Sequence, residues 1–287
     1  MDANQPIVTR DTLIAGFREM GMEAGGLVMV HSSLSAFGHV EGGAETVIAA
    51  LLAAIAPGGT LVLPTLCQRD KERREETWDI ANSPSDVGKI TETFRTWPGA
   101  VRSDHFTHSV TAVGPLAEEI TSGHASAGPR PSPWGPRAFG YGSPWDKLYD
   151  HNALYCFLGV TYSVHTLRHY IQARILEETI EALPAEASAQ LQARVVGWNR
   201  PGLFPWWNGE QEEEALAALG LVRYVQIGNA TCRSIPAQTD VDTLLRLIHE
   251  QPEQWLNPEF LPWYQQAVLS CGVDAERSGA DGGPATS

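Results

Sequence analysis

Cysteine is scarce in this chain, and its four copies, Cys67, Cys156, Cys232 and Cys271, stand far apart with no CxxC pair. That spacing suits neither a zinc knuckle nor a disulfide framework, and isolated thiols of this kind usually behave as small buried hydrophobes. Long apolar runs are missing too. The best stretch, from Val47 to Leu63, is broken by Pro57, Gly58 and Gly59, short of the roughly 18–20 apolar residues a membrane span needs. The opening MDANQPIVTRDTL lacks the basic-then-apolar order of a secretory signal, so the cytoplasm is the expected location. Positive charge is in deficit, with 20 Lys and Arg against 34 Asp and Glu, a formal charge of −14. Nucleic acid, which wants clustered Lys and Arg, is a poor partner for such a chain. Plain solubility accounts for the charge, and a long-range pull on cationic small molecules would follow from it.

What is present is an ordinary globular composition, 43% hydrophobic over 287 residues, with pattern that alternates between helix and strand. DTLIAGFREMG (11–21) places Leu13, Ile14 and Phe17 on one helical face. LVMVHSS follows as a short buried strand, GGAETVIAALLAAIAPGG as a helix with a Pro-Gly-Gly stop, and TLVLPT as a second buried strand. Strand, helix and strand in that order imply parallel neighbours joined by a right-handed crossover. The stretch from Cys67 to Ser85 is charged and aperiodic, which predicts a long loop or lid; GKITETFRTWPG reads as a helix and HSVTAVG as a strand. Residues 121–145 are rich in Gly, Pro and Ser and predict an irregular segment of the length usually tied to function or disorder. ALYCFLGV, RVVGW and VRYVQIGNATCRSIPA are expected strands, and HTLRHYIQARILEETI and DVDTLLRLIHEQ expected helices. No repeat or mid-chain linker divides the chain. The expectation is one domain of mixed α/β type over 1–273 and a disordered tail over 274–287.

Open α/β sheets gather ligands beyond the carboxyl ends of their strands. His31-Ser32-Ser33, the loop from Arg102 to His108 and the turn from Thr161 to His169 all fall at such ends. These same residues carry a family resemblance. MVHSSLSAFGHVEGGAETVIAALLAAIAPGGTLVLPT looks like the opening of the aminoglycoside 3-N-acetyltransferase family. The likeness continues in register through SPSDVGKITETFRTWPGAVRSDHFTHSVTAVGP, GYGSPWDKLYDHNALYCFLGV and HTLRHYIQAR, with an echo at IGNATCRSIPA. It runs densely over roughly residues 10–175.

The resemblance implies an α/β fold of three α/β/α layers around a central mixed, largely parallel sheet, and transfer of an acyl group, acetyl in the family, from an acyl-CoA co-substrate to an amine, with no metal. It puts the coenzyme along His31, Ser32, Ser33 and Leu34, along Arg102 and Ser103, and near His108, Ser109, Val110 and Ser143. Serine hydroxyls and backbone amides can hold pantetheine and phosphate, and an arginine such as Arg102 can meet a phosphate bidentately. His169 corresponds to the family's base, which takes a proton as the amine attacks directly. A small-molecule amine is the implied partner, and a homodimer is left open.

The chain departs from the family at three points. Gln172 stands one helical turn from His169 where the family has Glu, Leu66 replaces an aromatic residue, and the link before Ser143 is longer. These departures point to a changed acceptor or acyl group, in natural-product biosynthesis rather than resistance. Acceptor contacts are expected from Asp70 and Asp79 in the acidic lid and from Trp206 and Trp207, whose rings suit stacking. Three rivals are kept: an acyl-CoA-binding protein or thioester hydrolase that has lost transfer with the Glu, a Cys67 nucleophile with His31, and a divalent ion on Asp104, His105 and His108.

Overall fold

The structure is a computed structural model that describes residues 7–67, 72–195 and 202–280, with side chains to Ser270. In chain order its elements are α1 (Arg10–Glu19), β1 (Leu27–Ser32), α2 (Gly43–Ala54), β2 (Thr60–Pro64), α3 (Arg74–Thr77), α4 (Lys89–Arg95), β3 (Val101–Arg102) and β4 (Val110–Val113). Then come α5 (Ala117–Thr121), α6 (Pro144–Asp150), β5 (Leu154–Leu158), α7 (Leu167–Ala182), α8 (Ala185–Arg194), α9 (Gly209–Ala218), β6 (Arg223–Ile227) and β7 (Ala230–Pro236). The chain closes with α10 (Ala237–Glu250), α11 (Pro252–Trp255) and α12 (Leu261–Ala280). No helix among the described residues is long and apolar enough to cross a membrane.

Seven strands form one sheet in the order β3-β4-β2-β1-β5-β7-β6. Side chains along a strand alternate between its two faces, and both faces here are apolar. Val28, Val30, Leu61, Leu63, Cys156 and Leu158 pack under α1, α2 and α4, while Leu27, Met29, Val62, Tyr155 and Phe157 pack under α6, α7 and α10. This gives the three layers and explains why the central strands read as unbroken hydrophobic runs.

The expected parallel pairing holds for the middle only. β1 pairs in parallel with β2 and β5, but β4, β3, β7 and β6 add antiparallel ladders on both flanks. The reason is local at one edge: β6 and β7 are joined by Gly228 and Asn229 alone, a hairpin too short for a crossover. Gly228 takes φ +57°, and a Cβ there would lie 2.5 Å from the Phe37 carbonyl oxygen.

The lid contains the short α3, and the 121–145 segment is largely irregular, tied by a bridge between Gly128 and Tyr141. The expected strand RVVGW begins at Arg194, the last residue of α8, and runs into residues outside those described. Of the stretch 274–287, residues up to Ala280 continue α12 and the rest lie outside the described residues.

Candidate active site

The carboxyl ends of β1, β2 and β5 open onto a cleft of about 1200 Å³. His31, Ser32, Ser33 and Leu34 form one wall, and His108, Trp134 and His169 line it as well. β1 sends His31 to the α7 face, in step with Leu27 and Met29, where its Nε2 lies 2.7 Å from the Tyr155 hydroxyl. Burial, helped by the charge of His165, lowers the His31 pKa to about 3. Ser32 falls on the opposite face, and its buried Oγ has no hydrogen-bond partner among the described residues. The Ser33 amide donates to the Leu158 carbonyl (2.9 Å), which locks the end of β1 to β5.

His169 sits in the first turn of α7, and its Nδ1 donates to Gln172 Oε1 at 2.7 Å. Residues three apart share a helix face, so this contact follows from the spacing read in the sequence. With an amide oxygen as acceptor, Nδ1 carries the proton and the lone pair is on Nε2. The ring lies in an aromatic box: Trp134 at 4.2 Å between centroids, Phe139 at 5.8 Å, and Trp206 and His108 at 6.0 Å. Burial and the nearby Arg168 cation outweigh the Gln172 hydrogen bond and push His169 down to about 3, so the imidazole is neutral at physiological pH. Gln172 is fully buried, and its Nε2 has no hydrogen-bond partner among the described residues.

Behind this pair lies a group that the sequence reading missed. His165 has no exposed surface and stands between Glu212 (Nδ1 to Oε2, 3.1 Å) and Asp240 (Nε2 to Oδ2, 2.9 Å). Burial alone would lower its pKa, but the two carboxylates prevail and raise it to about 9. The Asp240 contact is close enough for ion pairing but outside hydrogen-bond geometry; attraction between charges this near needs no alignment. Trp207 Nε1 donates to the other Glu212 oxygen at 2.5 Å. The three charged residues come from distant parts of the chain, and no spacing rule connects them.

Several expected donor contacts are turned elsewhere. Arg102 is spent on the protein itself: it donates to the carbonyls of Thr65, Ser83 and Ile80 and to Ser109 Oγ, and it stacks 4.5 Å from the Trp78 ring. It does not line the cleft, and its hydrogen bonds make it an internal staple. Ser103 Oγ binds His124 Nδ1 and accepts from the Val110 amide, and Ser109 Oγ donates to Thr65. Val110 is core, and Ser143 is the buried N-cap of α6, accepting from the Asp146 amide at 3.3 Å. None of these four lines the cleft.

On the acceptor side, Asp79 caps its own turn, accepting from the amides of Ala81 and Asn82 and from Asn82 Nδ2. It does not line the cleft. Asp70 lies outside the described residues. Trp206 belongs to the box around His169, and Trp207 is held by Glu212. Leu66 lines the cleft while Cys67 does not, and His31 is already engaged by Tyr155. Asp104 accepts from Trp78 Nε1 and His105 Nδ1 from two backbone amides. Among the described residues no group of three or more His, Cys, Asp or Glu is arranged to hold a metal ion.

A histidine braced by an i+3 side chain at the carboxyl edge of an α/β sheet is the geometry the resemblance implies. The family model for aminoglycoside 3-N-acetyltransferase matches residues 29–249, most of the chain. The chain belongs to the aminoglycoside 3-N-acetyltransferase family. A curated relative, aminoglycoside N(3)-acetyltransferase III of Salmonella sp, is 35% identical over 183 residues. That match spans 58% of this chain and 60% of the relative, less than two thirds of its length. Among solved members of the family, AAC-IIIb in its binary structure with CoASH aligns with a TM-score of 0.65 at 21% identity, covering 86% of this chain and 98% of that one. A mutant of AAC(3)-IVa in complex with apramycin aligns with a TM-score of 0.61 at 26% identity, covering 86% and 95%. The family resemblance and the α/β fold read from the sequence are both borne out.

Proposed function

We propose that this chain is an acyl-CoA-dependent N-acyltransferase in which His169 is the general base for direct attack of an amine on the thioester. The observation that carries this reading is the 2.7 Å contact from His169 Nδ1 to Gln172 Oε1 at the cleft wall. It fixes the tautomer whose Nε2 can accept a proton, the first requirement for a base. The cleft also suits the donor. Arg74 and Lys89 line it, which suits phosphates, and the unpartnered Ser32 hydroxyl stands in its wall beside the hydroxyls of Ser33 and Ser35.

The step balances without a covalent enzyme intermediate. The amine nitrogen forms the C–N bond, the C–S bond of the thioester breaks, and the sulfur leaves with the electron pair. The proton shed by nitrogen passes to His169 Nε2, while the Gln172 oxygen keeps the ring oriented through Nδ1–H. A positioned base contributes about 10² to 10⁴ in rate, so His169→Ala should lose activity by that factor while retaining coenzyme A binding.

A second reading, a thioester hydrolase or binding protein, is favoured by the one feature Gln172 lacks, a negative charge to support the imidazolium. Coenzyme A release measured together with mass spectrometry of the products separates the two. Equal yields of free thiol and acylated amine support transfer. Free thiol with only carboxylic acid would make the protein a hydrolase, and failure to bind any acyl-CoA at millimolar concentration would end the donor assignment.

A further inference from the structure

The chain carries a surplus of 14 negative charges, yet among the described residues no Asp or Glu lines its cleft. Three cations do: Arg74, Lys89 and Arg168. Arg74 has Asp86 nearby, and Arg168 has Glu212 at 3.9 Å, but neither carboxylate is part of the lining. Arg74 and Lys89 are the pair that suits the donor's phosphates, and Arg168 is the cation at the reacting end, adjoining His169 and helping depress its pKa. A site for an amino sugar bearing several ammonium groups calls for carboxylates facing it, whereas a cation set beside the reacting end selects against such a ligand.

The second observation is Trp134. It lies on the lengthened segment before Ser143, lines the cleft, and stands 4.2 Å from His169. Its ring meets Phe204 and Trp206 edge-on at 5.6 Å. The segment that presents it is rigidly fastened. Gly128 and Tyr141 exchange both backbone hydrogen bonds, the Arg130 amide donates to the Pro136 carbonyl, and the buried Arg130 guanidinium pairs with Glu177 at 2.9 Å under the Tyr141 ring. The result is a fixed aromatic wall beside the nitrogen that would take the proton.

We infer that the acceptor is a flat amine uncharged at working pH, an aryl or heteroaryl amine stacked on Trp134, rather than a polycationic amino sugar. The inference rests on the acyl-transfer reading. Its chemistry is consistent with that step, since an uncharged amine presents its lone pair to the thioester without first shedding a proton and asks little of a weakly basic imidazole.

The test compares initial rates with acetyl-CoA for two acceptor sets, anilines and aminopyridines against 2-deoxystreptamine amino sugars, in wild type, Trp134→Phe and Trp134→Ala. Coenzyme A binding is measured by calorimetry in each. The expected result is a wild-type kcat/KM at least about a hundredfold higher for the best flat amine. Trp134→Ala should raise KM for that amine about tenfold, the size of one lost aromatic contact, with coenzyme A affinity unchanged and partial recovery in Trp134→Phe. A polycationic amino sugar acylated faster than every flat amine would overturn the inference and leave transfer standing. Hydrolysis without acylated amine, or no coenzyme A binding, would overturn transfer itself and the inference with it. An unchanged KM in folded Trp134→Ala would remove Trp134 as the selecting residue.

Discussion

At position 172 a single atom separates a charged brace from a neutral one. Gln172 orients His169 but leaves its own Nε2 buried without a partner, and a buried unmade hydrogen bond of this kind costs about 1–3 kcal/mol. Glu at this position would remove that orphan and put a carboxylate beside the ring, stabilising the imidazolium and raising its pKa. Because burial holds His169 at about 3 in the native protein, the proposed base is unprotonated across the working range and should add no acid limb near neutrality to the kcat/KM profile. Gln172→Glu should bring such a limb up toward the ordinary imidazole value of roughly 6.5. Superimposable pH–rate profiles for wild type and variant would mean that residue 172 does not tune the base.

At the scale of elements, the legible part of the sequence is the part dictated by burial. β1, β2 and β5 are covered on both faces, so they read as continuous apolar runs, and the residues at and just past their carboxyl ends, His31 to Leu34 among them, reach the cleft. Arg102 shows where such reading stops. The phosphate contact expected of it comes from the family resemblance alone, and nothing in the local sequence reveals that the lid folds back over it. Its guanidinium gathers the carbonyls of Thr65, Ile80 and Ser83, joining the end of β2 to the lid. Burial, with Arg95 nearby, pulls its pKa down to about 10, still well above neutrality. Arg102→Gln should therefore lower stability by about 1.5–3 kcal/mol, the usual worth of hydrogen bonds from a charged donor, and speed proteolytic cutting between Glu72 and Ser85. Coenzyme A affinity should change little. Weakened coenzyme A binding with unaltered denaturation and proteolysis would return Arg102 to the donor site. Trp134 escaped notice for a related reason: Gly- and Pro-rich segments have no period, and only tertiary contacts decide which of their side chains face inward.

Across the whole molecule, the buried charges of Glu212, His165 and Asp240 join the start of α7 to α9 and α10 and so fasten the helix that carries His169 to the far side of its layer. Arg168 adds a cation 3.9 Å from Glu212, and the Trp207 indole completes the shell around that carboxylate. Removing one partner from such a group strands buried charge and typically costs roughly 3–5 kcal/mol, so Asp240→Asn should lower the midpoint of chemical denaturation sharply. The pH dependence carries a distinct sign. His165 is raised in the folded protein to about 9 from its ordinary 6.5, so the folded state binds its proton more tightly than the unfolded chain does. The stability it confers is therefore complete below about pH 6.5 and is lost as the pH rises through about 9. Asp240→Asn weakens the upward pull on His165, and its unfolding free energy should fall less steeply over that interval than the wild type's. Urea denaturation at half-unit steps from pH 6 to pH 9.5, run on both proteins, measures the two slopes; parallel curves would show that His165 carries no proton that folding holds.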